Sequence, residues 1–228
     1  IEGVIVIGGD GSLRGAMALN RMGVPVVGVP ASIDNDIWGT DTSIGVDTAL
    51  NTILEALDRL RDTATSHSRA FLIEVMGRNC GYLAMMGSIL GGAEIVITPE
   101  HETTMEEVSA ALENAYVRGK SHAIAVVAEG ASLKVTDLAA YLNQKHVGFE
   151  IRLTILGHTQ RGGGPTAFDR LLATRLGVEA VERLVSGETG IMIARVGREQ
   201  TTVPLEEVTT RMRSIGAGYY ELARMLSR

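Results

Sequence analysis

Short apolar runs rich in β-branched residues alternate along this chain with longer amphipathic stretches. The runs at 4–7 (VIVI), 24–29 (VPVVGV), 70–75 (AFLIEV), 94–97 (EIVI), 122–127 (HAIAVV), 151–156 (IRLTIL) and 191–194 (IMIA) predict strands. The stretches near 12–22, 43–62, 77–91, 104–118, 135–144, 167–186 and 211–227 predict helices. The clearest helix carries Val46, Leu50, Ile53, Leu57 and Leu60, spaced to form one apolar stripe. Strand–helix alternation of this kind predicts βαβ units: an α/β protein with mainly parallel sheet flanked by helices. No internal repeat, low-complexity tract or disordered linker stands out, so two lobes would exchange the chain without a long connection.

Bulk properties narrow the picture. The 228 residues suffice for one large α/β domain or two smaller lobes. Hydrophobic residues make up 45% and charged residues 21%, a globular composition. A formal net charge of -6 gives no overall basic field and argues against a nucleic-acid partner. The single cysteine, Cys80, cannot form an internal disulfide, so a reducing, cytoplasmic setting is expected. No apolar run approaches membrane-spanning length, no signal-peptide pattern opens the chain, and no membrane partner is expected. The chain opens on Ile1 rather than Met, three residues ahead of a strand, and is expected to be a fragment or a processed product. Glycine is abundant, and at strand ends it lets backbone approach a ligand closely.

Four polar clusters follow directly on predicted strands: GGDGS (8–12), ASIDND (31–36), MGRNCG (76–81) and GHTQRGGG (157–164). Ligands of open α/β sheets bind at the carboxyl ends of strands, so this shared placement points to a site more strongly than any one cluster does. A glycine turn running into a helix presents N–H groups that, with the helix dipole, favour a phosphate. Asp10 suits a magnesium ion held between phosphate oxygens. GGDGS alone equally suits a tight βα turn with an aspartate cap, and it is neither a complete Walker loop nor a GxGxxG fingerprint. Asp34 and Asp36, at alternate positions, can divide the base and metal-supporting roles of phosphoryl transfer to a hydroxyl. The other reading of IDND is a loop bonded to its own backbone. Arg78 and Arg161 suit bidentate phosphate contact or are solvated surface charges. His158 is structural as readily as catalytic. Glu129 either accepts from a sugar hydroxyl or caps a turn. Arg69 and Arg152 sit at strand starts, the wrong end for such a site, and read as surface or interface residues. Met76, Met85 and Met86 read as core, and Cys80 as buried and inert.

In order and spacing, GGDGS, PASIDND, DTA (47–49), EVMGRNCG, AEG (128–130) and LGHTQRGGGPTAFDR resemble the ATP-dependent 6-phosphofructokinases of the bacterial type, from Ile1 to the C-terminus. NAD kinases and lipid kinases have a similar glycine–aspartate loop but lack the later motifs. The resemblance implies a two-lobed phosphofructokinase-like fold. Residues 1–45 and 160–210 would form a nucleotide-binding lobe, incomplete at its N-terminus, and 46–159 and 211–228 a sugar-phosphate-binding lobe. It implies transfer of the ATP γ-phosphoryl group to the 1-hydroxyl of fructose 6-phosphate, with magnesium (Mg2+), in glycolysis. By motif, Asp34 resembles the general base, Asp10 the magnesium-binding aspartate, and Asp36 a support for both. Gly9, Gly11, Ser12 and Gly15 resemble the nucleotide-phosphate loop. Ser32 takes the family's usual threonine position and keeps its hydroxyl; Ile33 falls beside it among the substrate contacts. Arg78 resembles the group that neutralises transition-state charge. Met76, Gly77, Glu129, His158 and Arg161 resemble sugar-phosphate contacts. Arg69 and Arg152 resemble arginines that reach a neighbouring subunit's substrate, which implies a homotetramer.

Pyrophosphate-using relatives tend to carry Asp at the Gly11 position and Lys at the Ala31 position. Asp there would crowd and repel the nucleotide α-phosphate, so two small residues favour ATP. Arg61, Glu94, Arg118 and Lys120 match positions around the family's effector site for ADP and phosphoenolpyruvate; as residues alone they read as solvated charges at helix ends. Family members begin with an earlier strand–helix segment carrying a first glycine-rich turn, an aromatic near the adenine and an arginine that bridges the phosphates, and that segment is not among these residues. The alternatives are a pyrophosphate-dependent phosphofructokinase and a non-catalytic sugar-phosphate-binding paralogue. The second would be expected to lose Asp10 or Asp34, and both are present.

Overall fold

The computed structural model describes residues 1–65 and 68–227. Its strands are β1 (Val4–Gly8), β2 (Val26–Pro30), β3 (Arg69–Val75), β4 (Ile95–Ile97), β5 (Ala123–Ala128), β6 (Glu150–Ile155), β7 (Ile191–Val196) and β8 (Glu199–Pro204). Its helices are α1 (Asp10–Arg21), α2 (Val46–Thr65), α3 (Tyr82–Gly91), α4 (Met105–Val117), α5 (Val135–Lys145), α6 (Ala167–Val185), α7 (Leu205–Thr210) and α8 (Ala217–Leu226), with a 3-10 turn at Gly157–Arg161. The chain forms two compact units, Ile1–Thr48 with Gly164–Arg213, and Ala49–Gly163 with Ser214–Arg228.

The first unit is built on a four-stranded sheet of order β1-β2-β7-β8. β1, β2 and β7 run parallel, and β8 returns antiparallel to β7. β2 (VVGVP) is buried along its whole length, as expected of a parallel strand covered on both faces. One face packs Val26, Met192 and Ala194 against Leu13 and Ala16 of α1 and Leu205 and Val208 of α7. The other packs Val27, Val29 and Ile193 against Leu172, Leu176 and Ala180 of α6. The helices are thus held by opposite side-chain parities of the same strands.

The second unit has an all-parallel sheet of order β4-β5-β3-β6. Ala70, Leu72, Ala123, Ala125 and Val127 face Val108 and Leu112 of α4 and Leu138 and Leu142 of α5. The apolar stripe of α2 is real: Val46, Ile53 and Leu57 are buried, and Leu50 and Leu60 partly so. Met76 and Met85 are buried while Met86 is half-buried, and Cys80 is a buried free thiol.

Several elements depart from the sequence reading. Helix α3 begins at Tyr82, not 77, because Gly77 (φ 141°) and Arg78 (φ 50°) adopt backbone that no α-helix accommodates. The helix expected over 211–227 shortens to Ala217–Leu226; Arg213 is tied instead to the carbonyls of Asp36 and Asp41. β8, α7 and the 3-10 turn were not expected. β8 (EQTTVP) is a largely exposed edge strand, so it lacks the apolar signal by which buried strands are recognised.

Candidate active site

In the first unit, two of the polar clusters converge. β1 and β2 are paired in register with Gly8 opposite Pro30, and the N–H of Ala31 donates to the carbonyl of Gly8 at 3.0 Å. The glycine–aspartate turn therefore lies directly beside the acidic loop. A Cβ on Gly9 would approach Ser32 Cβ at 3.3 Å. Gly9 is the N-cap of α1 and contributes no side chain, so the N–H groups of the first turn are open to an outside acceptor. Asp10 stands in that first turn, and Arg14 donates to its Oδ2 at 2.9 Å. The proximity raises the Arg14 pKa through the hydrogen bond and the carboxylate charge. Gly11, Ser12 and Gly15 follow on the exposed side of the helix; a Cβ at Gly11 or Gly15 would meet nothing within 4 Å.

The acidic loop is rigidly built. Asp34 is 2% exposed; its N–H donates to Ser32 Oγ at 3.3 Å, and Ser32 Oγ donates to Asp34 Oδ2 at 3.4 Å. Asn35 takes a left-handed conformation (φ 53°), donates from Nδ2 to the Asp41 carbonyl at 3.3 Å and accepts from the Ser43 N–H at 3.3 Å. Ser43 Oγ donates to the Ser32 carbonyl at 2.6 Å. Ile33 and Asp36 are half-buried beside these groups in the chain. The loop is thus bonded to its own backbone, as one reading of IDND has it, while its carboxylates stand at the strand end, as the other requires.

In the second unit, the carboxyl ends of β3, β5 and β6 carry the other clusters. Glu129, just past β5, receives on Oε1 the N–H groups of Gly77 (3.1 Å) and Arg78 (2.8 Å). Gln160, 1% exposed in the 3-10 turn after β6, accepts from the Met76 N–H at 3.2 Å and donates to the Gly157 carbonyl at 3.0 Å. Two side chains from neighbouring strand ends thereby fix the backbone of Met76–Arg78. Arg78, His158 and Arg161 are exposed around it. Glu74, the next-to-last residue of β3, has its carboxyl pKa raised by burial and by the nearby charge of Glu129, with Lys134 pulling the other way.

Arg69 and Arg152 lie at the opposite, amino-terminal side of the same strands. Arg69 Nε donates to Glu150 Oε2 at 3.0 Å, and Arg152 pairs with the other oxygen of Glu150. Within this unit they do not join Met76–Arg78. Of the four candidate effector residues, Glu94, Arg118 and Lys120 fall together elsewhere. Glu94 is 7% exposed, pairs with Lys120 Nζ at 2.8 Å and accepts the Ile124 N–H. Glu94 and Arg118 line one cavity of about 380 Å³, and Arg61 donates to the nearby carbonyl of Gly91.

The sequence reading did not assign Glu150, Gln160 or Asp169. Asp169 had a legible signal, since Thr166-x-x-Asp169 before an apolar run is a helix-capping pattern. Thr166 Oγ1 indeed accepts the Asp169 N–H at 3.2 Å.

In each unit polar loops lie at the carboxyl ends of parallel strands, and in the first an uncapped helix N-terminus stands beside the buried Asp34 carboxylate, which places the chain among the α/β proteins whose sheets end in polar loops. A family model for phosphofructokinase matches residues 1–184, and the chain belongs to the phosphofructokinase family. It is 50% identical over 227 residues to an ATP-dependent 6-phosphofructokinase of Natranaerobius thermophilus, covering 100% of this chain and 70% of that protein. It is 50% identical over 228 residues to the enzyme of the same name from Thermotoga neapolitana, covering 100% of this chain and 71% of that one. Among solved structures, phosphofructokinase from Saccharomyces cerevisiae matches with TM-score 0.83 and 36% identity, over 91% of this chain and 32% of that one. A pyrophosphate-dependent phosphofructokinase from Marinobacter aquaeolei shares the fold, with TM-score 0.81 and 23% identity over 96% of this chain and 62% of that one.

Proposed function

We propose that this chain carries the phosphoryl-transfer centre of an ATP-dependent 6-phosphofructokinase. The γ-phosphoryl group of ATP passes to the 1-hydroxyl of fructose 6-phosphate, giving fructose 1,6-bisphosphate and ADP, a step of glycolysis. The observation that carries this reading is Asp34: a carboxylate 2% exposed, seated at the end of β2 beside the glycine–aspartate turn, in a chain half identical to enzymes named for the reaction.

Asp34 takes the proton of the sugar hydroxyl as its oxygen bonds to the γ-phosphorus and the bond from that phosphorus to the bridging oxygen breaks. Ser32 orients Asp34, and Asp36 supports the same loop. The first turn of α1, at Gly9, Gly11, Ser12 and Gly15, receives the nucleotide phosphates on backbone N–H groups. Arg78 sets a positive charge against the transferring group. Met76, Gly77, Glu129, His158, Arg161 and Ile33 contact fructose 6-phosphate, and Glu129 also fixes the Gly77–Arg78 backbone. Magnesium, when bound, draws charge from the phosphates. Asp10 is the side chain that would hold it, and it fits: magnesium is usually held by one or two carboxylates together with substrate phosphates. Among the described residues no cluster of three or more His, Cys, Asp or Glu forms a cage by itself. The Asp10–Arg14 pair is an exposed i,i+4 contact that costs little to exchange.

Gly11 and Ala31, both small, support ATP over pyrophosphate as donor, and Gly11 and Gly15 leave the exposed side of α1 bare. Neither has a positive φ and neither is crowded, so nothing within the protein calls for glycine there. An exposed helical glycine costs about 1 kcal/mol relative to alanine, and the space left on the helix suits a nucleotide. Arg69 and Arg152 serve the substrate of a neighbouring subunit in a homotetramer, and Arg61, Glu94, Arg118 and Lys120 bind ADP or phosphoenolpyruvate as effector. Among the described residues no helix is long and apolar enough to cross a membrane, and the working place proposed is the cytoplasm.

A coupled assay of the full-length protein tests the reading. Turnover is expected to need fructose 6-phosphate, magnesium and ATP, with little activity on pyrophosphate. Asp34→Asn is expected to lower kcat by about 10²–10⁴-fold while ATP still binds. Equal or faster turnover with pyrophosphate, or ATP consumption indifferent to the sugar phosphate, would overturn it.

A further inference from the structure

Asp169 is a carboxylate 1% exposed, and its oxygens engage Gly45, just before α2, and Thr48, in the first turn of α2. Its Oδ1 accepts the N–H of Gly45 at 3.0 Å; its Oδ2 accepts the N–H of Thr48 at 2.8 Å and the Thr48 hydroxyl at 2.5 Å. Thr166 completes the clamp, donating from Oγ1 to Asp47 Oδ2 at 2.6 Å and from its N–H to Thr48 Oγ1 at 3.2 Å. A negative charge is thus fixed against the bare N–H groups that open α2, where the helix dipole favours it.

The held segment is the far wall of the acidic loop. Ile44 donates its N–H to the Pro30 carbonyl at 3.0 Å, and Ala31 and Ile44 form a bridge, so the loop closes on itself immediately before Gly45. Ser43, 0% exposed, then grips Ser32 and Asn35, the two residues that flank Ile33–Asp34. A path therefore runs from Asp169 by hydrogen bond to Gly45, along the chain through Ile44 to Ser43, and from Ser43 by hydrogen bonds to Ser32 and Asn35 on either side of Asp34.

We propose that Asp169 is a positioning residue for phosphoryl transfer: it fixes the start of α2 and, through Ser43, sets the placement of the Asp34 carboxylate. The proposal rests on the reading of Asp34 as base. A base must meet its proton within hydrogen-bond reach, and a displacement of about 1 Å can lower a rate by about 10²-fold without loss of binding. Removal of a group that merely stabilised the fold would lower the melting temperature and leave kcat of the folded enzyme untouched.

The test uses Asp169→Asn, which keeps shape but turns an NH₂ toward Thr48 donors, and the milder Thr48→Val, which removes only the hydroxyl. Below the melting temperature of each variant, Asp169→Asn is expected to lower kcat by about 10–100-fold with KM for ATP and fructose 6-phosphate within about threefold. Thr48→Val is expected to show a smaller loss of the same kind, and the double variant to fall no further than Asp169→Asn alone, since both act on one path. Hydrogen exchange is read in parallel: the amides of 41–48 are expected to exchange faster in Asp169→Asn while those of β7 do not. A kcat within twofold of the parent in both folded variants, additive losses in the double variant, or unchanged exchange at 41–48 would overturn the proposal. If the parent itself lacks turnover with ATP and fructose 6-phosphate, the functional reading fails, and the exchange measurement still decides whether Asp169 fixes the loop.

Discussion

Gly130 lies against the carbonyl oxygen of Arg78 so closely that a Cβ on Gly130 would overlap it. The obstacle is backbone, not the end of a flexible side chain, and the same stretch is held by Glu129 through the N–H groups of Gly77 and Arg78. The turn after β5 and the loop after β3 are thus fitted to one another without room for a methyl group. Gly130→Ala is expected to destabilise the protein by about 1–3 kcal/mol in urea unfolding. By moving Arg78, it is also expected to raise KM for fructose 6-phosphate or lower kcat by at least about tenfold. A variant of parental stability and parental kinetics would show that the two turns yield freely.

Gly11 makes the opposite prediction. A side chain there meets no protein atom within 4 Å, and the backbone is ordinary helix. Gly11→Asp is expected to fold with stability within about 1 kcal/mol of the parent, because glycine is itself a poor helix residue. Its KM for ATP is expected to rise by at least tenfold, because the added carboxylate faces the nucleotide phosphates at the helix N-terminus. Paired thermal melts and ATP titrations separate these two effects.

The pair between Glu94 and Lys120 joins a carboxylate with a side chain 5% exposed to an ammonium side chain 39% exposed. Lys120→Met would leave Glu94 buried with the Ile124 N–H as its remaining partner in this cluster. The expected loss is about 1–2 kcal/mol, reduced from the cost of a fully buried pair by the exposure of the lysine. Arg59→Ala removes a pair whose side chains are 82% and 72% exposed, and is expected to change stability by less than about 0.5 kcal/mol. Urea denaturation of both variants checks the contrast.

Glu74 supplies a pH dependence. Its folded-state pKa is raised above the ordinary 4.5 by burial and then by Glu129. A carboxyl group raised on folding favours the folded state in its protonated form, so this contribution is complete below pH 4.5 and is lost as the pH rises through the folded value. Glu74→Gln is expected to stabilise the protein at pH 7 relative to the parent, with the gain fading as the pH falls below the ordinary carboxylate range. Unfolding midpoints collected from pH 4 to 8 test the sign. A variant less stable at pH 7 than at pH 4, relative to the parent, would show that the Glu74 charge is favourably held.

Much of the second unit is legible in the sequence. Its central strands β3 and β5 are buried on both faces, so runs such as AFLIEV and HAIAVV stand out without needing periodicity. β8 is largely exposed and α7 has only six residues, so neither offers a pattern long enough to read. At the site, GGDGS and ASIDND were recognisable as neighbours of strand ends, but Gln160 was not. A lone glutamine in a turn has no signature, and its partner, the Met76 N–H, is 84 residues away.

The sequence alone determined the α/β class, the order of the polar clusters and the family they belong to, because each of those depends on local composition and short spacing. Only the tertiary structure decided what each polar side chain does. Glu129 and Gln160 turn to backbone N–H groups of the loop after β3, Arg69 and Arg152 share Glu150, and Asp169 closes on the start of α2. Apart from Arg152 and Glu150, which are two positions apart, these pairings join residues 51 to 121 positions apart, only in part by strand register and otherwise by the need of buried carboxylates, amides and N–H groups to find a partner once water is excluded. That requirement acts on neighbours in space, which the order of residues along the chain does not state.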